Sequence, residues 1–600
     1  MRSCLIVSAL FLSLGLTGQG NERSLLAEAR LKASDDTTAK PVGSAVEVTV
    51  APGKNDYPGV GFAPPNGAWD LSRFGHVEAR LVNTGAKPII LALRVDNAGN
   101  WQDNPWNTES ITLEPGQAST VRTIFGYQYG QKKGYKLDPS KVSNVLIFTT
   151  KSDAARSFRI ESIVAAGPAH ETPPVALDDL RTKPTAGVIF DLKTSPNVAF
   201  ESGDKNGLTF PAGKPDAIAR IKPRAGRWDL RDYTEVHVTL RNSGSVPVVP
   251  RVRLESNGGA GEWRTVAKSM DPGAEAEIVA LFGHPIDVTG GAPSDLITSD
   301  AVSAVAFSIV PSGQDAHIQV TRIVAVAKPA AIPAWLGKRP PVPGEWVKTL
   351  NQEFEGNKLD TSVWKVTGEN YYDKQTHWSK DDVIVKDGML RVRYEKQTGF
   401  HNDDPKRNST PYAAGYLDTY GLWAQRYGYF EARMKLPKAP GLWPAFWMMP
   451  DRGSKAGPEQ WKRSDTGNGA MEFDIMEHLT RWGAHRYNIA MHYDGYEAAH
   501  KAIGSDKVYV EADKDGFIIC GLLWTPGEAV YYCNGRELLR WKNPRISNVP
   551  SYLMFTLPSG GWDNDAVDDD RLPADLIVDY VRVWQRKDLA SPGDGKRIDP

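Results

Sequence analysis

The chain has 600 residues, 71 Lys+Arg against 72 Asp+Glu, a formal net charge of -1, 41% hydrophobic and 24% charged residues. This balance excludes wholesale disorder and fibrous repeats. It also lacks the positive excess of a protein held to nucleic acid by neutralising phosphates. At roughly 100–200 residues per domain, the length allows three to five domains, each with its own core. The 55 Gly, 42 Pro and 10% aromatic residues suit a turn-rich all-β protein.

The first segment reads as an export leader over residues 1–20. Arg2 precedes an apolar run from Cys4 to Leu16, followed by the small residues of Thr17-Gly18-Gln19-Gly20. The run is shorter than the roughly 20 residues that span a bilayer, so an exported chain with no membrane span is expected. No cysteine follows Cys4 until Cys520, so a lipid-modified N-terminal cysteine is not supported. Secretion, or release into a periplasm, is the expected location.

Two homologous units come next, at 45–167 and 185–328. Gly67-Ala68-Trp69-Asp70-Leu71 is matched by Gly226-Arg227-Trp228-Asp229-Leu230, and Asn83-Thr84-Gly85 by Asn242-Ser243-Gly244, both at an offset of 159. Pro115-Gly116 and Phe125-Gly126 recur at an offset of 157, and Ile163-Val164 at 160. Segments such as HVEARLVN and EVHVTLRN alternate apolar and polar residues, the strand period, between Asn-x-Gly and Pro-Gly turns. Tandem β-sandwiches are therefore expected. The repeated Trp-Asp-Leu reads either as a core Trp capped by its Asp or as a sugar platform. Trp101 and Trp106, on a polar loop, are the better sugar-stacking candidates, with Trp263 in the second unit. This pattern resembles the β-sandwich modules found ahead of agarose-degrading enzymes, which implies carbohydrate binding. A Pro-rich linker at 329–345 is expected to act as a stiff spacer.

The last domain, 346–587, again reads all-β, and its chemistry sits in Met471-Glu472-Phe473-Asp474-Ile475-Met476-Glu477. On a strand Glu472 and Asp474 share one face, while Phe473 and Ile475 point into the core. Strict alternation would bury Glu477 among apolar side chains, at high cost. A β-bulge at Ile475–Met476 would return it to the face of the other two. A row of like charges repels, so it is poor structural material. A retaining glycosidase, however, needs two carboxyls about 5–5.5 Å apart in different charge states. A solvated acidic strand or a calcium site are the alternatives.

MEFDIME resembles the E-x-D-x-x-E strand of glycoside hydrolase family 16. Glu353-Phe354-Glu355-Gly356, Tyr427–Arg433, Gly441-Leu442-Trp443-Pro444-Ala445-Phe446-Trp447 and Val578–Val583 resemble other strands of that family, in order. The resemblance implies a β-jelly roll of concanavalin A type, with an open cleft for a polysaccharide. It implies Glu472 as nucleophile, Glu477 as acid/base and Asp474 as the helper between them. It also implies Trp447, Trp443 and His492 in the cleft, with Asn488, Trp378 and Trp423 as weaker candidates. No cofactor is required and no catalytic metal is expected. A structural calcium at Glu353 or Glu355 with Asp579 is possible in the family. A monomer is expected. The agarase-type modules favour a red-algal galactan of agar type, with β-1,3-glucan close behind. Transglycosylation, or carbohydrate binding without catalysis, is open on the same fold. Basic clustering in this domain is thin (Lys406-Arg407 is one adjacent pair, with Arg426 and Arg481 isolated), so heavy sulfate recognition is not demanded.

Cys520 and Cys533 lie on two strands joined by Thr525-Pro526-Gly527-Glu528. Counting outward from the turn puts them opposite each other. A cross-strand disulfide and a pair of buried thiols are both open.

Overall fold

The computed structural model describes residues 22–595, apart from 100–104, 114, 129–131, 173–190, 195–198, 202–206, 214–216, 223–226, 257–258, 283–285, 288–296, 312, 367–369, 371–372, 454–464 and 592–593. The leader at 1–20 and Trp101 lie outside these residues. The chain divides into two compact units, 1–173 and 174–600.

The first unit is a β-sandwich. One sheet runs in the order Thr37–Val42, Ala45–Val50, Arg156–Ala166, His76–Asn83, Ala118–Ile124, and the other Arg30–Ala33, Gly59–Ala63, Val142–Phe148, Ile89–Asn97, Trp106–Leu113. It therefore includes strands ahead of residue 45. Alternation fills its core: Val77, Ala79 and Leu81 are fully buried, while Glu78 and Arg80 face outward. The second sandwich repeats the arrangement from Asp191–Thr194 to Ala316–Val326.

The repeated motifs have structural causes. Trp69 and Trp228 are buried and bridge to Val142 and Val302, so both pack as core residues, while Asp70 caps Ser72 and Asp229 pairs with Arg231. The Asn83 amide donates to the carbonyls of Lys87 and Leu113 and accepts from Gly85 N–H, closing the turn. Asn242 makes the same bonds with Val246, Met270 and Gly244. A buried amide with its hydrogen bonds met is costly to replace, so the Asn stays while the loops drift.

The C-terminal domain is a jelly roll of two stacked, mainly antiparallel sheets. The sheet that carries the acidic strand runs Tyr416–Asp418, Ser551–Thr556, Ala445–Pro450, Glu472–Glu477, Arg486–Tyr493, Lys501–Tyr509. The sheet behind it centres on Ile518–Thr525, Gly428–Lys435 and Ala574–Arg586. Between them Phe446 stacks on Phe555 at 4.8 Å, and Phe473 meets Trp524 at 5.0 Å. Each fully buried ring of this kind contributes about 1.5–3 kcal/mol.

The linker does not stand free as a spacer. Gly337 accepts a hydrogen bond from Arg582, Ala330 donates to Ala512, and Val342 packs with Trp346 on Tyr429, Leu523, Tyr532 and Trp584. It lies as a strap along the domain that follows, because its apolar side chains find partners there. Cys520 does face Cys533. Both are free, buried thiols, and burial holds the Cys520 thiol well above its ordinary pKa. Cys520 is thus a poor nucleophile.

Candidate active site

One irregularity builds the site. Along Glu472–Glu477, Asp474 is opposite Ala490 while Glu477 is opposite Asn488, so three steps on one strand match two on its neighbour. On the other side Met476 faces Phe446 and Asp474 faces Trp447, leaving Ile475 as the extra residue. This is the bulge the charge argument requires. Phe473, Ile475 and Met476 enter the core. Glu472 and Glu477 stay partly exposed, and Asp474 is 3% exposed between them.

Directly opposite residues share a face, so the register brings the cleft together. His492 faces Glu472, Trp447 faces Asp474, and Asn488 and Ala445 face Glu477. Glu477 accepts the Asn488 amide at 2.6 Å on one oxygen and the Trp443 indole N–H at 2.8 Å on the other. Trp447 donates to Thr556 at 3.2 Å. His492 Nε2 lies 3.4 Å from Asp474. Ligand atoms of Glu472, Asp474 and His492 fall within 4.8 Å of one another.

Burial and then Asp474 push Glu477 up to about 8, against the pull of the Asn488 and Trp443 hydrogen bonds. Burial, Asp474 and Glu477 push Glu472 well above the usual carboxylate range. Burial draws His492 down, but Asp474 and Glu477 outweigh it and raise it. The Glu472 and Glu477 carboxyls titrate together. The shared result is a site that keeps an acidic proton at neutral pH, which a general acid requires. A cation at this cluster would need a neutral His492, and the carboxylates favour its protonated form.

The structure corrects two expectations. Trp423 is 3% exposed and edge-on to Phe430 in the core. Trp378 is also a core residue, 5.2 Å from Tyr416. Sequence shows that a Trp is present but not which side of a sheet it packs against. The pairing of Glu353 with Asp579 expected for calcium does not fit either. Glu353 is held by both ends of the Arg582 guanidinium, and Asp579 by Arg433. These carboxylates already have their counter-charges.

Four residues escaped the sequence reading. Thr556 holds the Trp447 ring. His500 bonds His492 at 2.9 Å and stacks on it at 5.1 Å. Tyr496, 44% exposed, lies 5.6 Å from His500. Trp562, 49% exposed, lies edge-on to Trp443 at 5.6 Å. The rings are carried by loops, where no periodicity marks them. The only signals were His500 eight residues after His492 and the Trp in Gly560-Gly561-Trp562.

The family profile described as "Beta-porphyranase A-D, GH16 domain" matches residues 345–586. The chain is 30% identical to endo-1,3-1,4-beta-glycanase ExsH of Rhizobium meliloti (strain 1021) over 177 residues, 30% of this chain and 34% of that protein. It is 30% identical to a beta-glucanase of Rhodothermus marinus over 187 residues, 29% of this chain and 63% of that one. It is 21% identical to beta-porphyranase B of Zobellia galactanivorans over 263 residues, 41% of this chain and 86% of that one. The chain thus spans about a third of the first relative and less than two thirds of the second. Residues 345–586 are a glycoside hydrolase family 16 domain.

Proposed function

We propose that this family 16 domain is the catalytic part of an exported, endo-acting, retaining glycoside hydrolase that cuts a β-linked galactan of the agar–porphyran kind. The observation that carries the reaction class is the bulge that turns Glu472, Asp474 and Glu477 to one face, with Glu477 holding a proton. Glu472 attacks the anomeric carbon as the glycosidic C–O bond breaks, and Glu477 gives its proton to the leaving oxygen. Glu477, now a carboxylate, takes a proton from water. That water attacks the anomeric carbon, releasing Glu472 and restoring the acid. Once Glu477 holds the proton it no longer pushes on Glu472, which eases ionisation of the nucleophile. Asp474 lies between the two and fixes His492. The reaction uses side chains and water alone.

The galactan reading is supported by the family profile that matches and by the agarase-type pattern of the sandwiches, which we take as carbohydrate-binding modules. The glucanase relatives at 30% identity support endo-β-1,3-glucan cleavage as the second reading. The deciding experiment is reducing-end release by the full chain on agarose, porphyran, carrageenans, laminarin, lichenan and xyloglucan. Cleavage of laminarin alone would replace the galactan reading. No cleavage of any β-linked polymer, with or without an acceptor sugar, would remove the enzyme reading. Glu472→Gln and Glu477→Gln are each expected to lower kcat by about a thousandfold or more while the fold and ligand binding remain.

A further inference from the structure

The second sandwich and the family 16 domain fall in one compact unit, and their junction is built on charge. Arg481 follows the acidic strand by a few residues, and its side chain is 1% exposed. Its guanidinium meets Asp300 of the second sandwich at 3.4 Å, and Asp563 and Asp565 of its own domain at 3.7 Å each. From the same sandwich, Arg231 donates to the Arg481 carbonyl at 2.7 Å. The approach is close. A Cβ on Gly483, which has φ +81°, would come within 2.4 Å of the Arg231 Cβ. Tyr509 of the family 16 domain inserts into the sandwich core, where it meets Phe282 at 5.8 Å. Its hydroxyl donates to Ile297 at 2.7 Å and accepts from the Ser299 N–H at 3.0 Å.

From this junction a continuous set of contacts reaches the acid/base. Trp482 donates to Asp563 at 3.1 Å and lies 5.5 Å from Trp562, which lies 5.6 Å from Trp443. Arg481 N–H donates to Asn564, and Asn564 donates to the Leu442 carbonyl at 2.9 Å, next to Trp443. Thr480 binds Leu442 through both its N–H and its hydroxyl. Trp443 then donates its indole N–H to Glu477 at 2.8 Å.

We infer that the second sandwich is a structural part of the active site: Asp300 and Arg231 brace Arg481, and through Trp562 and Trp443 they position Glu477. They are positioning residues and touch no substrate. The inference rests on the reading of Glu477 as acid/base, but its physical content is the coupling of a module to the Trp443–Glu477 hydrogen bond. A buried guanidinium shared by two domains suits this purpose, since its removal leaves charges unpaired on both sides. A module that only captured substrate would need no such contact.

The test uses the full chain carrying Asp300→Ala, Arg231→Ala, Trp443→Phe and the double variant Asp300→Ala/Trp443→Phe. The Trp443 hydrogen bond favours the Glu477 carboxylate, so its loss raises the Glu477 pKa. Trp443→Phe should therefore move the alkaline limb of kcat to higher pH. Asp300→Ala and Arg231→Ala should move it the same way and lower kcat by about two- to thirtyfold, with KM little changed. The double variant should show no further movement of the limb. Asp300→Glu should lose less than Asp300→Ala. The same coupling is read without substrate. The indole N–H signal that disappears in Trp443→Phe should shift in Asp300→Ala. This separates failure of the inference from failure of the enzyme reading. If both sandwich variants keep the native limb, and the Trp443 signal does not move, the brace does not exist. Should Asp300→Ala not fold, Arg231→Ala and Asp300→Asn decide by the same readouts.

Discussion

At the residue scale, Glu477 sets the expected pH behaviour. Its pKa rises from 4.5 to about 8 on folding. The folded protein therefore binds more protons than the unfolded chain between those values. A raised folded pKa favours the folded state fully below about 4.5, and that contribution fades as pH climbs to about 8. Stability attributable to this site should fall across that window, and Glu477→Gln should lessen the fall, since Glu472 is also pushed up by burial and Asp474. Melting temperatures of native and variant protein at pH 5 and pH 8 would check it. The variant's advantage should appear only at the higher pH. Turnover has the same alkaline edge, since deprotonated Glu477 cannot protonate a leaving group. Tyr496 belongs to the same scale. Its ring and those of His500 and His492 are tilted by only 13–33° to one another, extending from the Glu472 side of the triad. Such a row suits sugar faces. Tyr496→Ala should raise KM for long oligosaccharides by about threefold to tenfold and leave the shortest cleavable substrate nearly unchanged. Equal effects on both would show that the ring does not bind a distant sugar.

At the element scale, the bulge is the feature to test. Deleting Ile475 alone would leave Glu472, Asp474 and Glu477 at alternate positions on one face, whereas deleting both Ile475 and Met476 would send Glu477 into the layer of Phe446 and Phe473. Activity should vanish in the double deletion, and its melting temperature should fall well below that of Ile475→Val, which keeps the register. Retained activity in the double-deletion variant would show that the strand can slip to keep its acids outward. The bulge was legible in the sequence because a charge on an apolar face has a large physical penalty. The strands of both sandwiches and the opposition of Cys520 and Cys533 were legible for a related reason: period and turn chemistry are local. The sandwich Trp residues are a weaker case, since Trp69 and Trp228 had two readings until their burial was seen. Trp378 and Trp423 show the limit. Nothing in the neighbouring residues says that they fill the space between sheets rather than line a groove. Tyr496, His500 and Trp562 lie on loops whose path depends on distant contacts. Asp300 and Arg481 are 181 positions apart, and no local rule pairs them.

At the scale of the molecule, the two sandwiches look alike in sequence but differ in what surrounds them. The second shares a compact unit with the family 16 domain, while the first forms a unit of its own. Removing each should therefore have different consequences. A chain that starts at residue 174 keeps the Asp300–Arg481 junction and the strap at 329–345. Its kcat and KM on a soluble oligosaccharide should stay within about twofold of the full chain. On a gelled polymer it should lose more, because a tethered sugar-binding module raises the local concentration of enzyme at the surface. A chain that starts at residue 329 loses Asp300, Arg231 and the cover over Tyr509. It exposes a buried ring and leaves the Arg481 charge short of a partner, which together cost several kcal/mol. It should unfold at a lower temperature and turn over soluble substrate more slowly. Steady-state kinetics and calorimetry on the three chains would distinguish the cases. If the shorter truncation behaves like the full chain on gel as well, the first sandwich does not bind that polymer. If the chain from 329 keeps full turnover on soluble substrate, the two sandwiches are equivalent appendages, and the buried junction has no part in catalysis.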